Sequence, residues 1–178
     1  MINGKWGLIP RPSILRMRDI FGKNLVKGAE IGVHRGHNAK SILKELNIDK
    51  LYLVDAWLNY EGIEWNRLNI VENYEFVLKL FKNNKRVEII KDLSKNAIEF
   101  VNDNSLDFVY IDANHQYKYV RQDITLWSKK VKEGGIIAGH DIYNFSGILK
   151  AVMEICNKES YDFKIEIPDW YFIKTRVV

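Results

Sequence analysis

The chain has 178 residues, 27 Lys and Arg against 23 Asp and Glu, one Cys, and 47% apolar residues, enough for a single self-supporting domain over residues 1–178 that buries about 70% of its unfolded surface. Cys156 alone can build neither an internal disulfide nor a multi-thiolate zinc site, which excludes disulfide scaffolds and zinc fingers and predicts a reducing, cytoplasmic setting. No apolar run approaches the ~20 residues of a membrane span, the first residues lack the pattern of a signal peptide, and the net charge of +4 permits nucleic-acid binding without implying it.

Residues 1–12 read as an N-terminal arm. After Pro12-Ser13, the residues Ile14, Leu15, Met17, Ile20 and Phe21 form a helical apolar stripe that stops near Gly22 and Asn24. Residues 29–33 read as a first strand, followed by a helix that turns Ile42, Leu43 and Leu46 inward, and 51–54 as a second strand. The loop 56–66 carries Trp57, Tyr60 and Trp65, rings that serve equally well to cover a ligand or to fill the core. Then come a helix over about 67–81, a strand over 87–90, a short helix near 97–101 and a fourth strand over 108–111. The basic cluster Lys79, Lys82, Lys85, Arg86 and Lys91 falls in this stretch and reads first as a solvated face.

A helix over about 119–131 is expected to stop at Gly134-Gly135, where glycine supplies positive φ, before a fifth strand over 136–139. A last helix over 148–156 places Cys156 on one face with Leu149 and Val152, as packing rather than as a nucleophile. Two β runs, 163–167 and 170–177, are separated only by Pro168-Asp169, so they must form an antiparallel hairpin. Short, continuous apolar strands alternating with helices predict a doubly wound, Rossmann-like α/β sheet of five parallel strands plus that hairpin, with helices on both faces.

In such a sheet, ligands bind at the carboxyl ends of the strands. The first strand runs into Glu30-Ile31-Gly32-Val33-His34-Arg35-Gly36, where Gly32 and Gly36 allow close backbone approach and the next helix offers free N–H groups. The same turn can also serve only to pack helix on strand. The second strand ends at Asp55, about twenty residues beyond the glycines, a position from which an acid can accept hydrogen bonds from ribose hydroxyls, or simply cap its loop. The glycines do not follow the dinucleotide spacing G-x-G-x-x-G, so a pyrophosphate is not the expected cargo.

Together these residues resemble the class I S-adenosylmethionine-dependent methyltransferases, in particular small O-methyltransferase-like members, over residues 28–142. AEIGVHRG is similar to that family's first motif, LYLVDAW to its ribose-binding strand end, VEIIKDLSKNA to its third motif, FVYIDANHQYKYVRQDITLW to its fourth, and VKEGGIIAGHD to its fifth strand. The resemblance implies a strand order 3-2-1-4-5-7-6 and S-adenosylmethionine as cofactor, with Glu30, Gly32 and Gly36 around its methionine portion, Asp55 at the ribose, and Asp92 and Leu93 beside the adenine. It also makes the fourth and fifth strands neighbours about 4.8 Å apart, so that Asp112 converges with His140-Asp141 and a cation or a shared proton must compensate the two acids.

In metal-dependent relatives, acids at the positions of Asp112, His140 and Asp141 hold Mg²⁺. His140 departs from that pattern, which admits Mn²⁺ or a softer ion alongside Mg²⁺. His115 or His140 would take the proton from an acceptor hydroxyl, with Asp112 as a further catalytic residue beside them. The implied activity is methyl transfer to a hydroxyl of a small molecule or sugar, by an enzyme with no membrane attachment and compatible with a homo-oligomer. Two rivals are an RNA-directed methyltransferase, suggested by the basic balance, and a nucleoside-binding protein of the same fold without turnover.

Overall fold

The computed structural model describes residues 9–58 and 70–175. Helix α1 (Pro12–Phe21) is followed by β1 (Val26–Ile31), α2 (His37–Glu45), β2 (Ile48–Asp55), α3 (Ile70–Phe81), β3 (Val87–Lys91) and α4 (Ser94–Ala97), which runs on into a 3-10 turn over Ile98–Phe100. Then come β4 (Leu106–Ile111), α5 (Tyr117–Trp127), β5 (Val131–Gly139), α6 (Ser146–Glu159), β6 (Phe163–Glu166) and β7 (Asp169–Ile173). Most of the arm, the loop residues Tyr60 and Trp65, and the expected helical residues 67–69 lie outside the described residues.

The seven strands form one sheet in the order β3-β2-β1-β4-β5-β7-β6, parallel from β3 to β5 and antiparallel across β7 and β6, as the sequence reading expects. Alternation along β4 shows how the sheet is buried on both sides. Phe108 and Tyr110 pack with Ile14 and Met17 of α1, Ile42 of α2 and Val77 of α3. Val109 and Ile111 pack with Ile124 and Trp127 of α5 and Val152 of α6. Each fully buried large side chain contributes about 1.5 to 3 kcal/mol, so two covered faces account for the continuous apolar runs. Cys156 is buried in the second of these layers, in keeping with a packing role. Among the described residues no helix is long and apolar enough to cross a membrane.

Two details depart from the local reading. The expected helix stop at Gly134-Gly135 is instead a bulge inside β5: α5 already ends at Trp127, and pairing steps from Leu106 with Val131 to Phe108 with Ile136. Gly134, at φ 77°, donates its N–H to the Lys174 carbonyl at 2.7 Å, and the Lys174 N–H returns to the Gly135 carbonyl at 2.9 Å. The glycines supply the positive φ that a bulge needs as readily as one that a helix end needs. Likewise Asp169 is not a turn residue but the first residue of β7, where it is fully buried and accepts hydrogen bonds from the Ser13 N–H (3.1 Å), the Ser13 hydroxyl (2.5 Å) and the Tyr110 hydroxyl (3.1 Å). It thereby ties α1 to the sheet.

At the middle of the sheet Gly28 faces Phe108, and a Cβ there would stand 2.1 Å from the buried ring. Gly28→Ala should therefore lower stability by about 1 to 3 kcal/mol, the usual cost of overpacking, measured as a reduced urea midpoint with an unchanged slope.

Candidate active site

Three strand ends shape one cleft. After β1, the chain turns at Gly32 (φ 89°), whose N–H donates to the Val54 carbonyl at 2.8 Å. A Cβ at Gly32 would stand 2.1 Å from the Asp112 carbonyl oxygen, so only glycine lets the ends of β1 and β4 close together. At the end of β2, Asp55 Oδ2 accepts the N–H groups of Val33 and His34, both at 2.9 Å, and Oδ1 accepts that of Trp57 at 2.8 Å. The carboxylate thus clamps the glycine turn from below and retains lone-pair capacity for a ligand hydroxyl.

A cleft of about 300 Å³ opens over these ends, lined by Gly32, Asp55, Asp92 and Leu93 together with Ser94, Tyr119, Gln122 and Asp123. Gly32, expected at the methionine portion of the cofactor, and Asp55, Asp92 and Leu93, expected at its ribose and adenine, therefore line one cleft. Gly36 stands apart: a Cβ there would meet the Phe81 ring at 2.9 Å, so the residue serves helix packing against α3. Glu30 lies beneath the turn, 1% exposed, with Oε1 accepting from Asn38 at 3.0 Å and Oε2 buried without a partner. Burial pushes its carboxyl up to about 8. Trp57 is a core residue, its indole N–H on the His34 carbonyl at 2.9 Å and its ring 4.9 Å from that of Tyr74.

The α5 contribution was missed in the sequence. Tyr119, Gln122 and Asp123 recur at helical spacing beside the apolar stripe Val120, Ile124 and Trp127, a polar seam that periodicity alone could have flagged. Asp123 accepts the Ser94 hydroxyl at 2.5 Å, and that hydroxyl accepts the Trp127 indole N–H at 2.9 Å. Burial raises the Asp123 carboxyl to about 6.

On the far side of Gly32, the ends of β4 and β5 bring together Asp112, His115, His140 and Asp141. His115 Nε2 lies 3.6 Å from Asp112 Oδ1 and 3.4 Å from Asp141 Oδ2. His140 Nδ1 lies 3.1 Å from Asp141 Oδ2 and 3.9 Å from Asp112 Oδ1. Neither nitrogen makes a hydrogen bond, although both are buried. The expected convergence of acids is present, and Arg11 joins it from the N-terminal side, its Nη2 donating to Asp112 Oδ2 at 3.1 Å. Asp141 holds φ 59°, a left-handed conformation that is uncommon away from glycine and frequent at functional sites.

With this geometry in place, the sequence of residues 29–142 matches the methyltransferase-domain family, and the chain belongs to that family. It is a class I S-adenosylmethionine-dependent methyltransferase. Among curated proteins no relative matches by sequence. Similar solved structures include a protein from Corynebacterium glutamicum, with a TM-score of 0.69 and 12% identity, covering 96% of this chain and 84% of that one. The O-methyltransferase NovP gives a TM-score of 0.70 and 19% identity, covering 92% of this chain and 78% of its own. The MycE methyltransferase of the mycinamycin biosynthetic pathway, in complex with Mg, SAH and mycinamycin VI, gives 0.63 and 16% over 93% of this chain and 49% of its own. At such identities the likeness is one of fold.

Because Asp55 both clamps the turn and faces the cleft, Asp55→Ala should weaken S-adenosylhomocysteine binding by about tenfold to a hundredfold, the equivalent of roughly 1.5 to 3 kcal/mol for a charged acceptor. It should also lower the melting temperature in the absence of ligand, since three N–H groups lose their acceptor. Calorimetry and thermal unfolding of the same preparation check both effects.

Proposed function

We propose that the protein is a cytoplasmic enzyme that transfers the methyl group of S-adenosylmethionine to a hydroxyl oxygen of a small molecule or sugar. The observation that carries this reading is the juxtaposition across Gly32 of a nucleoside-sized cleft with a cluster of two carboxylates and two imidazoles. The chain's residues fit the cofactor at both ends. Glu30 Oε2, buried without a partner, matches an ammonium group, and the wall formed by Asp55, Asp92 and Leu93 matches a ribose and a base. When bound, the cofactor supplies an electrophilic methyl on a sulfonium. Gly32 and Asp55 hold the turn against which it would be seated, and the acceptor hydroxyl would approach from the side of Asp112.

An imidazole of the cluster, His115 or His140, accepts the hydroxyl proton. Asp112 and Asp141 also suit a divalent cation, which would lower the cost of deprotonating the hydroxyl. Among the similar structures, NovP is an O-methyltransferase, which supports oxygen as the acceptor, and that of MycE holds Mg together with SAH and mycinamycin VI. In this reading Glu30, Gly32, Gly36, Asp55, Asp92 and Leu93 serve the cofactor and Asp112, His115, His140 and Asp141 the chemistry, Gly36 acting through the fit of α2 and α3. Methyl transfer to candidate hydroxyl compounds, followed by product mass spectrometry, tests the activity.

Two outcomes separate this reading from its rivals. Glu30 in the free protein is protonated below about 8, and an ammonium beside it favours the ionised form, so binding must release a proton. S-adenosylhomocysteine affinity should therefore rise as pH is raised from about 5 to 8, and Glu30→Gln should flatten that profile in calorimetric titrations. An RNA acceptor would instead show itself in salt: several phosphate contacts make affinity fall by orders of magnitude between about 50 and 200 mM. Activity on a small acceptor should change little over that range. Tight RNA binding with a steep salt slope, abolished by replacing Lys82, Lys85 and Arg86 together, would favour the RNA-directed alternative.

A further inference from the structure

We propose, resting on the reading that the cleft seats the cofactor, that Asp123 of α5 selects the cofactor's base. The free oxygen of its carboxylate accepts the 6-amino group of adenine and rejects a purine that carries a carbonyl at that position.

A chain of hydrogen bonds with one possible direction sets up this carboxylate. The Trp127 indole N–H can only donate, and it donates to Ser94 Oγ at 2.9 Å. The Ser94 hydroxyl has a single proton, which it donates to Asp123 Oδ1 at 2.5 Å. Trp127 is fully buried in the core, so the chain starts from a fixed point and holds Oδ1 as an acceptor. Among the described residues Asp123 Oδ2 makes no hydrogen bond. The residue is only 4% exposed, yet it lines the cleft. A buried carboxylate with one oxygen unpartnered is costly until the cleft delivers a donor. Burial raises this carboxyl to about 6, so at neutral pH it is still ionised and has no proton of its own to offer.

The walls decide what kind of donor. Leu93 and Tyr119 line the cleft while 39% and 38% exposed, apolar surfaces that a flat ring would cover. Tyr119 stands one helical turn before Asp123, so its ring and the carboxylate share a face of α5. Apolar walls with one anionic acceptor at the buried end fit a heteroaromatic base that bears an amine. The other acid of this wall is engaged elsewhere: Asp92 Oδ1 accepts the Leu93 N–H at 2.6 Å and the Asn96 amide at 2.9 Å, holding the turn into α4. A 6-oxo purine would set its carbonyl oxygen against Asp123 Oδ2, two acceptors with no proton between them. Its nearest donor is the neighbouring ring N–H, which reaches Oδ2 only if the whole base shifts. Discrimination therefore comes from repulsion as well as from the bond gained.

Calorimetric titration of the full chain with S-adenosylhomocysteine and with S-inosylhomocysteine, its deaminated 6-oxo counterpart, tests the proposal. At about pH 8, where Asp123 is ionised, the wild type should bind the amino compound about tenfold to a hundredfold more tightly. Asp123→Asn should narrow that preference to within a few fold or invert it. Because Ser94 must still donate, the new side chain keeps its carbonyl oxygen on Ser94 and turns its amide N–H₂ group into the cleft, a donor where there was an acceptor. Ser94→Ala, which frees the carboxylate to rotate, should reduce the preference without inverting it. Asp55→Ala, at the ribose, should weaken both compounds by a similar factor and leave their ratio unchanged. Melting curves establish that each variant is folded, and the wild-type ratio decides by itself if one is not. Equal binding of the two compounds by the wild type, or an Asp123→Asn variant that weakens both alike, overturns the assignment and leaves the cofactor cleft standing. A wild type that binds neither compound overturns the cleft reading as well.

Discussion

The carbonyl of Asp112 leaves no room for a side chain at residue 32: a Cβ there would come within 2.1 Å of its oxygen. That contact is possible because β1 pairs directly with β4, Ile31 opposite Ile111, and because Gly32 adopts φ 89° as the chain leaves the sheet. It sets the distance between the two halves of the site. The cleft begins at Gly32 and Asp55, the acid and imidazole cluster begins at Asp112, and the backbone between them is as thin as a polypeptide can be. A strand order that separated β1 from β4 would leave both halves intact and part the cleft from the acid and imidazole cluster.

A second dependence runs through buried charge. Three carboxyls sit where ionisation is costly: Glu30 beneath the glycine turn, Asp123 in the cleft wall and Asp169 at the start of β7, with burial raising them to about 8, 6 and 6. An acid whose folded value lies above its unfolded one stays neutral in the fold over the interval between the two values, so stability is highest below that interval and falls as pH rises through it. At neutral pH the fold therefore carries the cost of these buried carboxylates close to its cleft. Asp169 has a different use. Its bonds to Ser13 and Tyr110 dock α1 on the sheet, and that docking brings Arg11 over Asp112. A hairpin at one end of the chain and a helix at the other thus orient one carboxylate at the centre.

Local pattern made much of this legible. Strands buried on both faces have to be short and continuously apolar, and a two-residue link between β runs has to be a hairpin, so sheet type and edge follow from residue order. The residues at strand ends were equally readable, because a ligand at the carboxyl edge of a parallel sheet can be reached only from there. The reading failed where one residue type serves two geometries. Gly134-Gly135 provides positive φ to a β bulge as well as it would to a helix end, and only the pairing of Lys174 with that segment distinguishes them. Asp169 looked like a turn residue because Pro168-Asp169 is turn composition, while its burial depends on Ser13, distant in sequence.

What residue order determined was the list of parts: the alternation of strands and helices, the glycine turn, Asp55 at one strand end and Asp112, His140 and Asp141 at two others. These depend on local spacing and on which positions face inward, both properties of neighbouring residues. What only the tertiary structure decided was direction. Asp55 spends its carboxylate on three backbone N–H groups, Gly36 supports packing rather than the cleft, α5 adds Tyr119, Gln122 and Asp123 to the wall, and His115 rather than His140 lies between the facing oxygens of the two acids. Each of these outcomes turns on an atom supplied from elsewhere in the chain, such as Arg11 on Asp112 across a separation of 101 residues. Such contacts exist only once the core has packed, and they leave no periodic mark in the sequence.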